Sequence, residues 1–169
     1  MDSEEKNGLS KQAYQRHFNM LKGRVAEALV EELFVSLGYQ VFRYGMENTI
    51  PGIMQTLRGV KNDTVMHIRR MPDFIVQKEQ SILFIEVKFR KSGIFTLKDL
   101  GEDYPYDDAY IVVVSKKHIK CITVKQLKEG KEVTPKTRNY LGSLEAFKQD
   151  KDKIIDFCEF AVKFFENVD

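Results

Sequence analysis

Hydrophobic and polar residues alternate with two different periods along this chain. Over residues 9–37 apolar residues recur at helical spacing, and residues 151–167 repeat this pattern. Short runs rich in Phe, Ile, Val and Tyr, typical of strands, separate the two helices. They cover residues 39–44, 64–70, 73–78, 81–89, 109–115 and 119–124. This order predicts a single α/β domain over residues 1–169, with a mixed central sheet flanked by helices.

Several local signals refine this outline. Ser10 is a predicted N-cap of the first helix, and Gly38 is its predicted end. Gly23 either breaks that helix in two or allows close packing. Ser143 is predicted to cap a further short helix. The remaining segments are an excursion over residues 45–59 that contains a short helix at residues 53–57, a helical turn over residues 95–100 and an acidic loop over residues 101–108.

The two strands over residues 73–89 carry the chemistry that we consider most informative. A tight turn at residues 79–80 places Asp73 opposite Glu86, and opposed Cβ atoms lie roughly 4.5–5.5 Å apart. Two carboxylates at that separation repel each other unless a positive charge lies between them. A divalent cation with oxygen ligands is the simplest candidate. Lys88 lies on the same strand face as Glu86 and places an ammonium group beside it.

The residues Pro72-Asp73, followed after twelve positions by Glu86-Val87-Lys88, resemble the PD-(D/E)xK nuclease motif. That superfamily includes restriction endonucleases, Holliday junction resolvases and repair nucleases. The resemblance extends over about residues 9–125 and implies a restriction-endonuclease-like fold. It implies that Asp73 and Glu86 hold Mg²⁺, for which Mn²⁺ can substitute, and that Lys88 activates or positions the attacking water. We expect the Val87 carbonyl to be a further metal ligand.

Glu27 is a fourth candidate for the site. On a helical wheel it lies at the edge of the apolar face, whereas Glu31 points away from that face. Gly23 and Glu27, followed by the helix end at Gly38 and a strand, are similar to the first helix of the same superfamily. There a helix glutamate often joins the active site directly or through water. The alternative is an ordinary surface glutamate.

The distribution of charge tells more about partners than its total. The net charge is only +2, but residues 116–138 carry eight Lys and Arg against two Glu. Such a stretch either contacts phosphates or is simply a solvated surface. Together with the cations around the motif it supplies the candidate DNA contacts, which are Arg69, Arg70, Arg90, Lys91, Lys98, Lys116 and Lys117. For Arg69 and Arg70 solvated charge is the simpler interpretation.

Composition excludes several classes. Hydrophobic residues make up 43% and charged residues 31%, which is typical of a globular domain and not of a disordered chain. Cys121 and Cys158 have neither a disulfide framework nor a zinc spacing, and the chain opens on a polar segment. No apolar run approaches the ~20 residues of a membrane helix. We therefore expect a cytoplasmic protein without a membrane partner.

Two functions of different class follow from these observations. The first is a Mg²⁺-dependent DNA endonuclease, either structure-selective or of the restriction or repair type. The second is a non-catalytic nucleic-acid-binding or assembly subunit on the same fold. Because every position of the motif is filled, the first is preferred. We also expect a homodimer with residues 160–165 at or near the contact, since Phe160 and Val162 lie outside the main apolar stripe of the last helix.

Overall fold

A five-stranded mixed sheet forms the centre of the protein. The structure, a computed structural model, describes residues 10–45 and 52–167. Its strands are β1 (Gln40–Arg43), β2 (Phe74–Lys78), β3 (Ser81–Phe89), β4 (Tyr110–Val114) and β5 (Ile119–Thr123). They lie in the sheet in chain order, and only β3 and β4 are parallel neighbours. The predicted α/β class with a mixed central sheet is therefore confirmed.

The described part of the chain contains six α-helices and two short 3₁₀ turns. The helices are α1 (Lys11–Ser36), α2 (Ile53–Thr56), α3 (Asp63–Arg69), α4 (Leu97–Leu100), α5 (Val124–Lys128) and α6 (Lys151–Glu166). The 3₁₀ turns, Leu141–Ser143 and Glu145–Asp150, precede α6. None of these helices is long and apolar enough to cross a membrane. Residues 46–51 of the predicted excursion lie outside the described residues, as does Leu9.

Helix α1 begins and ends where the sequence predicts. The Ser10 hydroxyl accepts a hydrogen bond from the Ala13 N–H at 3.2 Å, and Gly38 adopts a positive φ of 82° just after the helix. The helix continues without a break through Gly23. A Cβ atom at Gly23 would meet no atom within 4 Å. Close packing is therefore not the reason for this glycine.

The sheet is covered on both faces. Helices α1 and α6 and the 3₁₀ turns pack on one face, where Val112 and Val114 of β4 point. On the other face Ile111 and Val113 pack against α5 and the connection that precedes β4. Because side chains alternate along a strand, this burial explains the unbroken apolar run predicted to be covered on both sides.

The β2–β3 hairpin has the register that the sequence predicts. Lys78 pairs with Ser81 and Phe74 pairs with Ile85 across the two antiparallel strands. Glu79 in the tight turn takes a positive φ of 55°. Asp73 lies one residue before the last of these pairs, and Glu86 lies one residue after it on β3. The two carboxylates thus project at the end of the hairpin, beside the neighbouring strand β4.

Two predicted elements were wrong. Residues 64–70 form α3 and not a strand, because the Asn62 side chain accepts a hydrogen bond from the Val65 N–H at 2.8 Å and Asp63 occupies the first turn. Ser143 caps no helix. It ends the first 3₁₀ turn, and Leu144 opens the second without a side-chain cap.

Candidate active site

The hairpin end brings the three motif side chains into contact. The backbone N–H of Val87 donates to Asp73 Oδ2 at 2.7 Å, which fixes that carboxylate against β3. The Lys88 ammonium forms an ion pair with Glu86 Oε1. Glu86 is only 7% exposed. Asp73, Glu86 and Lys88 therefore form one compact charged cluster, as the sequence pattern predicts.

Glu86 lies in an unfavourable electrostatic environment. Burial raises its pKa, the Lys88 charge lowers it and the neighbouring Asp73 charge raises it, and together these effects bring the pKa from 4.5 to about 7. Its second oxygen, Oε2, is buried and has no hydrogen-bond partner among the described residues. A buried carboxylate that lacks partners for one oxygen is costly unless another group completes it. A cation at this position would do so.

The donor set suits a magnesium-type ion and does not suit zinc. The described residues contain no cluster of three or more His, Cys, Asp or Glu side chains that could hold a metal. Mg²⁺ is commonly bound by one or two carboxylates and keeps several waters, and Asp73 with Glu86 supplies such a pair. The part of Val87 that contacts the pair is its N–H group. Coordination by the Val87 carbonyl stays a prediction.

Tyr104 is a site residue that the sequence analysis missed. Its side chain is 3% exposed, and its hydroxyl has no hydrogen-bond partner in the described part of the chain. Burial raises the pKa of Tyr104, and the charges of Glu86 and Asp73 add to this effect, so the phenol is near both carboxylates and stays protonated. A tyrosine in an acidic loop carries no local signal of such a role, because only the fold brings it to the hairpin.

Arg70 braces the loop that carries Tyr104. Its Nη1 atom lies 2.7 Å from Asp103 Oδ1, an ion pair without a hydrogen bond. A Cβ atom added at Gly101 would lie 2.6 Å from the same nitrogen, and Gly101 has a positive φ of 98°. The guanidinium thus packs against the backbone of this loop. A contact between Arg70 and DNA stays a prediction, beside this structural role.

The Tyr104 hydroxyl can be tested by stability. We expect Tyr104→Phe to raise the free energy of unfolding by about 1 kcal/mol, because it removes a buried hydroxyl without a partner. Tyr106→Phe is the matched control on the same loop. The Tyr106 hydroxyl donates to the His67 carbonyl at 2.9 Å, so its removal is expected to lower stability by about 1 kcal/mol. Urea unfolding of both variants measures this, and a destabilised Tyr104→Phe would contradict it.

An open cleft of about 750 Å³ lies between α1 and the end of β3. Glu27 and Lys88 both line it, so the predicted helix glutamate and the motif lysine lie at the same cleft. Among the described residues that line the cleft, Asp73 and Glu86 do not appear. Lys88 lines the cleft and is also ion-paired with Glu86. A catalytic role of Glu27 stays a prediction, and Glu31 pairs with Arg43 instead.

The predicted DNA-contacting cations fall into three groups. Arg90 and Lys91 line the cleft, and Lys91 also lines an adjoining pocket of about 260 Å³ together with Lys116 and Lys117. Arg69 is on α3, where its Nη2 donates to the Leu57 carbonyl at 2.5 Å. A third group consists of Lys98 on α4, which is exposed and lines neither pocket. Of the predicted DNA-contacting cations, Arg90 and Lys91 are thus the ones that share the cleft with Lys88.

Comparison with known proteins adds no family to this description. No model of a known protein family matches the chain, and no curated protein matches it either. The PD-(D/E)xK resemblance therefore depends on the motif residues and on the way in which the fold brings them together.

Proposed function

We propose that this protein is a cytoplasmic, Mg²⁺-dependent DNA endonuclease of the PD-(D/E)xK type. One observation carries the proposal. Two carboxylates, the half-buried Asp73 and the buried Glu86, lie at the end of a hairpin, where Lys88 is ion-paired with Glu86 and one Glu86 oxygen has no hydrogen-bond partner in the described part of the chain. In the absence of a cation this cluster is unfavourable for the fold, and such local conflicts concentrate at functional sites.

The order of elements supports the same proposal. A long helix precedes three antiparallel strands, and the crossover after β3 leads to the parallel neighbour β4. This agrees with the restriction-endonuclease-like arrangement that the motif implies. Asp73 directly precedes β2, and Glu86 and Lys88 lie on β3, which ends where the crossover begins.

Each residue of the cluster has a defined part in the proposed hydrolysis. Asp73 and Glu86 would hold the cation, with Asp73 oriented by the Val87 N–H. A bound Mg²⁺ supplies positive charge at the phosphate and lowers the pKa of a water. The Lys88 ammonium, which is ion-paired with Glu86, positions the attacking water and stabilises negative charge developing on the phosphate. Tyr104 stays protonated and can donate a hydrogen bond to the carboxylate side of the site.

The alternative is a non-catalytic nucleic-acid-binding or assembly subunit. One observation favours it. Glu86 is nearly buried, its charge is already paired with Lys88, and neither carboxylate lines the cleft in the described part of the chain. In a site closed in this way, the three charged residues would have a structural role and no catalytic one. Cation binding and DNA cleavage separate the two functions.

We expect wild-type protein to bind Mn²⁺ and to cut DNA, and we expect Asp73→Asn to do neither. Asparagine keeps the shape and an acceptor for the Val87 N–H but removes the charge that holds the cation. Calorimetry with Mn²⁺ measures binding. Cleavage is measured on supercoiled, linear, single-stranded and four-way-junction DNA, with Mg²⁺, Mn²⁺ or EDTA. Equal Mn²⁺ binding by both proteins would contradict the site, and binding without cleavage of any substrate would favour the alternative.

We also propose a homodimer that uses the outer face of α6. Phe160 and Phe164 are 56% and 38% exposed, and with Val25 and Ala28 of α1 they line an apolar groove of about 570 Å³. Phe165 belongs to the core, so the proposed contact does not include its side chain. A two-fold dimer of this small chain would have two active sites, one in each subunit. Light scattering at micromolar concentration tests this proposal, and a monomer mass would contradict it.

A further inference from the structure

Lys22 is a buried cation without an acidic partner among the residues that the structure describes. Its side chain is 8% exposed on α1, and its ammonium lies 4.3 Å from the centroid of the Phe18 ring and 5.8 Å from that of Phe89. No hydrogen bond or ion pair joins it to any described residue. Lysine is rarely buried to this degree without a pair. Two aromatic faces attract the ammonium, but they compensate for the loss of water only in part.

The open side of this lysine faces the catalytic cleft. Lys22 lines the cleft together with Lys88, Arg90 and Lys91, and Glu27 is the one acid among its described lining residues. Lys88 is already paired with Glu86, and Arg90 lies 3.9 Å from Asp99. Of the cations named here, Lys22 is thus the one held in place by packing but not neutralised by a carboxylate.

The helix leaves space beside this cation. Gly23 follows Lys22 and also lines the cleft, and a Cβ atom there would meet nothing within 4 Å. Glycine in a helix interior is unfavourable, and no neighbouring protein atom requires it here. The cleft, about 750 Å³ in volume, has room for a phosphate with its sugar next to α1.

We propose that Lys22 binds a backbone phosphate of a DNA strand in this cleft. The inference rests on the proposed function, because that function makes DNA the ligand. It adds a binding residue from α1 and places the bound strand between α1 and the end of β3. The aromatic rings of Phe18 and Phe89 pre-orient the ammonium, so that little side-chain entropy is lost when the phosphate binds.

The test compares Lys22→Met with Arg24→Met. Methionine keeps the packing of the lysine stem and removes one charge, and Arg24 is an exposed cation on α1 that does not line the cleft. Fluorescence anisotropy with a labelled 20-base-pair duplex in EDTA gives DNA affinity across a salt series. We expect Lys22→Met to weaken binding about 5–10-fold at low salt and to reduce the salt slope by about 1. Arg24→Met is expected to change neither, and Lys22→Arg is expected to restore both.

The outcomes separate this inference from the proposed function. Equal DNA affinity and salt slope for Lys22→Met and wild type would overturn the inference even if the protein cuts DNA, as would absence of DNA binding by wild type. Lys22-dependent binding without any metal-dependent cleavage would support the inference and overturn the endonuclease proposal. Inorganic phosphate could bind wild type and not Lys22→Met while the two proteins have the same DNA affinity. In that case Lys22 binds a free anion, and the assignment of DNA as its ligand is wrong.

Discussion

Lys88→Ala is expected to slow DNA cleavage at least ~10²-fold and to leave DNA affinity nearly unchanged. The reason lies in the position of the ammonium, which contacts Glu86 Oε1 at the carboxylate pair while the residue lines the cleft. In the proposed reaction its charge would therefore act on the reacting phosphate and water more than on the strand as a whole. Other cations of the cleft, among them Arg90 and Lys91, would keep the DNA bound.

The loss of Lys88 has a second consequence that a purely structural role would not produce. Because the Lys88 charge lowers the pKa of Glu86, its removal is expected to raise that pKa above about 7. The pH at which Mn²⁺ binds should then move upward in Lys88→Ala, and part of the lost cleavage should return at higher pH. This pH shift distinguishes electrostatic coupling from simple misfolding.

Single-turnover cleavage with Mg²⁺ across a pH series measures both effects. Lys153→Ala on α6 is the control, since Lys153 is an exposed lysine outside the cleft. We expect the control to cleave like wild type. Cleavage by Lys88→Ala at the wild-type rate would remove Lys88 from the mechanism and favour the non-catalytic subunit.

The sequence predicted the hairpin well because the information there is local. A turn at residues 79–80 and strict alternation of side chains leave one register, and the structure has it. Helix α1 was also predicted correctly, from its N-cap residue and from the helical spacing of its apolar residues. Residues 64–70 were not, since an apolar pattern of that length fits a strand or a helix equally well. The Asn62 cap decides for the helix.

The motif residues could be predicted from spacing, but their surroundings could not. The charges of Glu86 and Asp73 raise the pKa of Tyr104, which lies on a loop further along the chain, and the Lys22 ammonium lies 5.8 Å from the centroid of the Phe89 ring on β3. Both placements depend on tertiary contacts that no periodicity records. Glu27 is intermediate, since the helical wheel placed it at the edge of the apolar face and the structure places it in the cleft.

A second large effect is expected from Glu86→Gln, which should stabilise the metal-free protein at pH 8. The pKa of Glu86 is about 7 in the folded protein and 4.5 for an ordinary glutamate. Between these values the folded state binds more protons than the unfolded state, so stability falls as pH rises from 4.5 to about 7. At 1.36 kcal/mol per pKa unit the full penalty is about 3 kcal/mol, and it is complete above pH 7. Glutamine does not titrate and removes it.

Urea unfolding in EDTA at pH 4, 6 and 8 is the measurement. Glu86→Gln and wild type should be similar in stability at pH 4 and should diverge by up to about 3 kcal/mol at pH 8. Glu145→Gln is the control, because the Glu145 side chain is 91% exposed and its loss should leave the pH profile unchanged. A wild type more stable than Glu86→Gln at pH 8 in EDTA would contradict the unfavourable environment assigned to Glu86.

The cation is expected to reverse this order. A ligand that binds only the folded state stabilises it in proportion to the logarithm of its concentration over its Kd. Added Mn²⁺ should therefore stabilise wild type at pH 8 and leave Glu86→Gln unchanged, since glutamine cannot supply the charge that balances the ion. The Glu86 carboxylate would thus lower stability without the cation and raise it when the cation binds. This behaviour is expected of a residue that is kept for function. Stabilisation of both proteins to the same extent by Mn²⁺ would instead remove Glu86 from the metal site.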